Sequence, residues 1–192
     1  MAAAAEPGGR RGGERLIGPR RIALLGAEST GKSSLAVALG DRLDGIVVAE
    51  YLREFCDETA RVPRAEEQAG IAAEQARREQ LAVAAAAERG AGWVICDTTP
   101  LMVALYSIDC FGDRSLLAGA LERQHGYAAT LVCMPDIDWI ADGIMRVDAE
   151  TRDRIHRQLV GLLDAHRIDW SPVIGSGENR VESALRTLSK MK

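Results

Sequence analysis

Apolar residues fall along this chain in two alternating patterns. Short, largely apolar runs occupy residues 21–25, 45–49, 93–96, 130–134 and 171–174. Between them lie longer stretches where apolar residues recur at helical spacing, as Leu35, Leu39 and Leu43 do. Short continuous runs suit strands buried on both faces, and the recurring pattern suits amphipathic helices. The expected helices span residues 34–43, 51–59, 64–89, 100–108, 113–124, 150–166 and 178–190. Pro63 and Pro100 stand at helix mouths. Gly90 and Gly92 stop the longest helix, whose Ala, Glu, Gln and Arg content favours helix throughout.

Strands that alternate with helices imply an α/β fold: a five-stranded parallel sheet with helices on both faces and right-handed crossovers. Ligands in such sheets sit beyond the carboxyl ends of the strands. A glycine-rich segment, Glu50 and Asp97 follow the first, second and third strands, so one cleft can hold all three. Residues 1–18 are rich in Ala, Gly and Arg and read as a disordered tail; residues 19–192 read as a single domain. Residues 136–149 look polar and irregular.

The glycine-rich segment reads Gly26-Ala27-Glu28-Ser29-Thr30-Gly31-Lys32-Ser33, with Ser34 after it. It matches the phosphate-loop pattern G-x-x-x-x-G-K-[ST] and has the strand before it and the helix after it that the pattern requires. Gly26 and Gly31 allow a bend that aims successive N–H groups at phosphate oxygens, and the helix start adds its positive dipole end. Lys32 would reach the β- and γ-phosphates of ATP, and the Ser33 hydroxyl would ligate Mg²⁺.

Asp97 occupies the strand-end position of the second acidic motif of phosphate-loop proteins, where it can hold Mg²⁺ or take a proton. A helix cap for the Pro100 helix is the competing role, although Thr98 or Thr99 would serve that better. Glu50 ends the second strand, where a carboxylate can orient an acceptor hydroxyl and remove its proton. Either acid can be the base. Arg53 lies three residues beyond Glu50, on the same helical face. Arg53 and Arg146 are both candidates to neutralise a transferring phosphoryl. Trp139, flanked by Asp138 and Asp142, needs a packing partner, either a flat ligand ring or a core contact.

The bulk composition adds limits. The chain has 192 residues, 47% hydrophobic and 27% charged, as ordinary globular domains do. A net charge of -4 gives no reason to expect a nucleic-acid partner, and no apolar run is long enough for a membrane span. Cys56, Cys96, Cys110 and Cys133 are scattered without a C-x-x-C pair. They read as reduced thiols in a cytoplasmic protein without zinc. His125, His156 and His166 lack partners at metal spacing, and no N-K-x-D guanine-reading sequence is present.

Five segments together resemble the ribosylnicotinamide kinase family, the kinase module of NadR-like proteins. They are residues 26–33, Glu50-Tyr51-Leu52-Arg53-Glu54-Phe55, Ile71-Ala72-Ala73-Glu74-Gln75, Cys96-Asp97-Thr98 and Trp139-Ile140-Ala141-Asp142-Gly143. The resemblance runs from about residue 21 to 188. It implies a P-loop kinase fold that binds ATP with Mg²⁺ and moves the γ-phosphoryl to the 5′-hydroxyl of nicotinamide riboside, giving the mononucleotide. It puts Glu50, Arg53 and Asp97 at the acceptor and phosphoryl site, with Tyr51 and Gln75 beside the nucleoside-like substrate. It assigns Trp139, Asp142 and Arg146 to a lid over about residues 136–150, and Gly175 and Arg180 to the neighbourhood of the adenine.

The chain departs from that family in four places. Some relatives carry aromatics where Ala49 and Arg77-Arg78 stand, and relatives often have an aspartate where Thr99 stands. Their lid arginine comes two residues after the glycine, whereas Arg146 comes three after Gly143. Two other readings therefore stand beside the first: a kinase of another nucleoside or small alcohol, and an ATP-binding regulatory module that transfers nothing.

Overall fold

The structure, a computed structural model, describes residues 18–138 and 149–190. Its strands are β1 (Arg20–Leu25), β2 (Ile46–Val48), β3 (Trp93–Asp97), β4 (Ala129–Cys133) and β5 (Ser171–Val173). Its helices are α1 (Lys32–Leu43), α2 (Tyr51–Thr59), α3 (Gln68–Arg89), α4 (Pro100–Phe111), α5 (Leu117–Gln124), α6 (Ala149–Ala165) and α7 (Gly177–Ser189). All strand pairs are parallel, in the order β2-β3-β1-β4-β5. The five-stranded α/β sheet expected from the apolar runs is therefore present.

Alternation along β1 explains the two layers of helices. Ile22 and Leu24 point into a core made with Leu35 and Leu39 of α1 and Val181 and Ala184 of α7. Ala23 and Leu25 point into the opposite core, with residues of α3, α4, α5 and α6. All four β1 side chains are fully buried. Full burial of each Leu or Ile is worth about 1.5–3 kcal/mol, so the central strand is strongly anchored. A smaller cluster of Leu52, Cys56, Ile71 and Val103 holds α2 against α3 and α4. The edge strands β2 and β5 have three residues each, and β5 carries Pro172, which blunts edge pairing.

Four helix boundaries differ from the pattern-based expectation by two residues or more, each for a local reason. Helix α1 starts at Lys32 instead of residue 34, because Gly31 takes a left-handed turn (φ 75°) directly into it. The long helix begins one turn later than residue 64. Residues Ala65–Glu67 form a 3₁₀ turn in which Glu67 accepts from the Arg64 N–H (2.7 Å) and holds the Arg61 guanidinium with both oxygens. Helix α4 extends to Phe111, where Gly112 at φ 70° caps it. Helix α5 begins only at Leu117, because Asp113 accepts from the N–H and hydroxyl of Ser115 and so stabilises a turn first.

One buried polar cluster was not anticipated. Glu79 of α3 is fully buried, accepts a hydrogen bond from the Tyr127 hydroxyl and pairs with Arg21 at 3.3 Å. The Arg21 guanidinium also lies 4.4 Å from the Tyr127 ring centroid. Burial pushes the Glu79 carboxyl above the usual carboxylate range, against the pull of Tyr127 and Arg21. This cluster ties β1, α3 and the turn before β4 together at the end of the sheet away from the glycine-rich loop. Replacing Tyr127→Phe removes a donor from a carboxylate that is fully buried. The expected loss is about 1–3 kcal/mol of stability, read by urea unfolding.

Candidate functional site

Strand register places the candidate residues. Leu24 lies opposite Asp97, and Cys96 lies opposite Val48. The loop after β1, the acid at the end of β3 and the acid two residues beyond β2 therefore meet at one edge of the sheet. The chain leaves β1 between β3 on one side and β4 on the other, the switch point at which a parallel sheet opens a crevice. A cleft of about 630 Å³ lies there. Its lining includes the 26–34 loop apart from Ala27, together with Glu50, Arg53 and Asp97.

The loop is bent by two glycines. Gly26 sits at φ 147°, and a Cβ there would come within 2.8 Å of Thr30 Oγ1 and 2.9 Å of the Cys133 carbonyl oxygen. Ala27 is buried, and its carbonyl accepts from the Thr30 hydroxyl (2.8 Å) and the Lys32 ammonium (2.9 Å). Lys32 thus folds back over the loop. Helix α1 has no side-chain cap at its N-terminus, so its first amides stay available to an anion.

Both candidate acids are relieved of capping duty by other residues. Glu50 precedes α2 but makes no cap hydrogen bond; the Tyr51 N–H donates instead to Gln75 Oε1 at 2.8 Å. Asp97 precedes α4 by three residues, and Thr99 accepts from the Leu101 N–H there. The Thr99 hydroxyl continues into a buried chain through Gln124 to Thr130, both links 2.9 Å. Thr98 between them is held at φ 72°, which is rare for a β-branched residue and costs about 1–3 kcal/mol. Its N–H donates to the Leu24 carbonyl, and its hydroxyl is buried without a partner among the described residues.

Charge in the cleft is mixed but mainly acidic. Burial pushes the Glu50 carboxyl above the usual carboxylate range; Lys32 is the strongest opposing influence, Asp97 and Glu28 add to the rise, and Arg53 offsets part of it. Asp97 is 4% exposed, and its Oδ1 has no hydrogen-bond partner among the described residues. Ser33 lines the same cleft, and an orphaned buried carboxylate oxygen together with an exposed serine suits a hydrated divalent cation, which Mg²⁺ with its retained waters would be. Ser33 and Asp97 therefore fit the metal role expected of them.

Several expected site residues have partners within the protein and do not line this cleft. Gln75 is 1% exposed, does not line the cleft and accepts from the Tyr51 N–H at the start of α2. The Tyr51 ring is covered by Arg78 at 4.5 Å and does not line the cleft. Arg78 in turn binds Glu54 with two bonds (2.6 and 2.7 Å) and Glu74 with one (2.9 Å). Arg180 is buried and donates to the carbonyls of Val173 (3.0 Å) and Met134 (3.2 Å) and to Asp136, while Asp136 accepts from the Gly175 N–H (2.7 Å). It clamps the ends of β4 and β5 beside Gly31, and neither it nor Gly175 lines the cleft. Trp139, Asp142, Arg146 and most of the expected lid lie outside the described residues, as do residues 1–17 of the expected tail.

Cleft residues that pattern reading passed over include Leu52, Met102 and Tyr106. Met102 and Tyr106 are four apart on α4, a helical spacing that could have signalled a shared face, but α4 is apolar nearly all round. Cys96 and Cys133 are fully buried in strands, and burial pushes the Cys133 thiol up to about 11. Among the described residues no helix is long and apolar enough to cross a membrane.

Comparison with known proteins bears on the same residues. A search among curated proteins found no match. A NadR protein in complex with NR is similar in structure, with TM-score 0.74 and 19% identity over 90% of this chain and 51% of that one. A deoxyadenosine kinase from M. mycoides with bound products gives TM-score 0.58 and 10% identity, covering 88% of this chain and 99% of that one. A shikimate kinase from Acinetobacter baumannii in complex with shikimate gives 0.50 and 13%, covering 92% and 94%. The chain spans about half the length of the NadR structures it matches. These likenesses establish a P-loop kinase fold. The AAA domain family matches residues 21–180, from the start of the central strand to the clamp arginine, and the chain belongs to that family.

Proposed function

We propose that this protein is an ATP-dependent small-molecule kinase whose acceptor is the 5′-hydroxyl of nicotinamide riboside. The observation that carries the reading is the single cleft in which the 26–34 loop faces Glu50, Arg53 and Asp97. The likeness to a NadR protein in complex with NR supports the choice of acceptor.

In this reading the loop amides and Lys32 hold the triphosphate, and Lys32 exchanges the Ala27 carbonyl for phosphate oxygens. Ser33 and Asp97 would hold Mg²⁺, which when bound would supply positive charge against the triphosphate. Glu50, uncapped and half-buried, accepts a hydrogen bond from the acceptor hydroxyl and takes its proton as the new O–P bond forms and the bond from the γ-phosphorus to the bridging oxygen breaks, ADP leaving. Arg53 shares that face and balances the charge of the transferring group. Phosphoryl transfer needs little covalent help, so alignment of these groups supplies most of the rate. Trp139, Asp142 and Arg146 complete the proposal as a lid that excludes water.

A second reading, phosphorylation of another nucleoside or a small alcohol, is favoured by one feature. Ala49 lines the cleft where the family places an aromatic, and Arg78 is engaged with Tyr51, Glu54 and Glu74 instead of forming a ring-stacking wall. Measuring ADP release with nicotinamide riboside, uridine, thymidine and shikimate decides between them. Nicotinamide riboside is expected to give the highest kcat/KM, and a clear preference for another acceptor transfers the assignment to it.

Two variants test the machinery. Lys32→Ala is expected to lower phosphoryl transfer by about 10²-fold or more while its circular dichroism stays native. Wild-type turnover in that variant removes the proposal. Glu50→Gln is expected to lower kcat by about 10²–10⁴-fold and to raise Tm. The folded state binds the Glu50 proton more tightly than the unfolded chain does. Wild-type stability therefore declines as pH rises from the ordinary carboxylate value through the raised one. Glu79 acts in the same direction, so the wild-type minus Glu50→Gln difference in Tm against pH isolates Glu50. If Asp97 is the base instead, the acid limb of kcat/KM survives in Glu50→Gln.

A further inference from the structure

The anion-binding loop carries a carboxylate of its own. A negative side chain in a loop built to hold a triphosphate works against that ligand unless it is directed elsewhere. Glu28 lines the cleft together with Glu50 and Tyr106, and its charge is felt at Glu50. The Glu28 carboxylate faces the Tyr106 hydroxyl closely enough that, after burial, it is the main influence holding that hydroxyl's proton on. Tyr106 itself is packed against the main core from α4, so this hydroxyl is fixed in place. The second carboxylate oxygen, Oε2, is buried and has no hydrogen-bond partner among the described residues.

A carboxylate oxygen takes either a hydrogen-bond donor or a cation, and with Mg²⁺ assigned to Ser33 and Asp97 the Glu28 Oε2 is left for a donor. The ionised oxygens of a nucleoside triphosphate bring no hydrogen, whereas the hydroxyls of an acceptor sugar do. We propose that Glu28 is an acceptor-binding residue, its Oε2 taking a hydrogen bond from a sugar hydroxyl of the acceptor, and that Tyr106 is its positioning residue. The proposal rests on the kinase reading above and deepens it. It gives the loop two faces: backbone amides toward the nucleotide and one side chain toward the acceptor. The acceptor class is then a polyol-bearing molecule such as a ribonucleoside, with one hydroxyl on Glu50 and another on Glu28.

The experiment compares wild type, Glu28→Gln and Tyr106→Phe, with Glu28→Asp as a second carboxylate variant and thermal melts to verify folding. Magnesium–AMP-PNP is titrated first, without acceptor. Steady-state kinetics then follow with nicotinamide riboside, uridine and thymidine. Nucleotide affinity is expected to stay within about twofold or to tighten in Glu28→Gln, since a repelling charge has gone. The acceptor KM is expected to rise about tenfold or more in Glu28→Gln and by a smaller factor in Tyr106→Phe, with the KM for ATP unmoved in both. Glu28→Asp is expected to recover part of the loss. Nucleotide affinity that weakens more than about threefold in Glu28→Gln overturns the assignment, as does an unchanged acceptor KM. If wild type phosphorylates none of the acceptors, the kinase reading falls instead. The nucleotide titration still decides whether Glu28 faces away from ATP.

Discussion

The close passage of Gly26 against the carbonyl of Cys133 governs the rest of the structure. The first strand must turn into α1 within a few residues, and it does so wedged between the ends of its neighbours. A Cβ at Gly26 would come within 3 Å of both Thr30 and Cys133. Only because nothing projects there can the loop curl tightly enough for its amides to face one point. The strand order then supplies what the loop needs. With β3 on one side of β1 and β4 on the other, the crevice opens above the loop, and Asp97 borders it from the adjoining strand.

Around that bend, the acids are kept free by neighbours that perform their ordinary tasks. A carboxylate just before a helix normally caps it. Here Gln75 satisfies the first amide of α2 and Thr99 that of α4. Glu50 and Asp97 are left with lone pairs facing the cleft, which raises the cost of burying them. Glu50 shows this as a raised proton affinity, and Thr98 adds backbone strain. Such local penalties persist when the surroundings impose them, and here the surroundings are two hydrophobic layers closed on the central strand. The departures from NadR-like sequences have their own internal logic. Arg78 covers Tyr51 and ties α2 to α3 through Glu54 and Glu74, and Thr99 trades a carboxylate for a cap with a buried continuation to Gln124 and Thr130.

Much of this was readable from residue order because its causes are local. Apolar run length identified all five strands, and the glycine spacing located the loop, since backbone conformation at Gly26 and Gly31 depends mostly on the residue itself. Glu50, Arg53 and Asp97 were legible as strand-end and helix-face positions, and the fold brings them to one cleft. Boundaries slipped where a side chain completed a turn that no period reveals, as Asp113 does ahead of α5 and Glu67 does ahead of α3.

Long-range pairing was beyond that reading. Gln75 and Arg180 were expected at the site from the family resemblance alone, and residue order does not show what they touch within the protein. In space, Gln75 is buried against the start of α2, 24 positions earlier, and Arg180 against Met134 and Asp136, more than 40 positions earlier. The Glu79–Tyr127–Arg21 cluster and the Glu28–Tyr106 contact likewise join residues separated by 48 or more positions. Periodicity says which face a side chain takes, but not which element lies opposite it. That is set by the packing of whole helices on the sheet, where many apolar contacts together decide the partners that a few polar atoms must then accept.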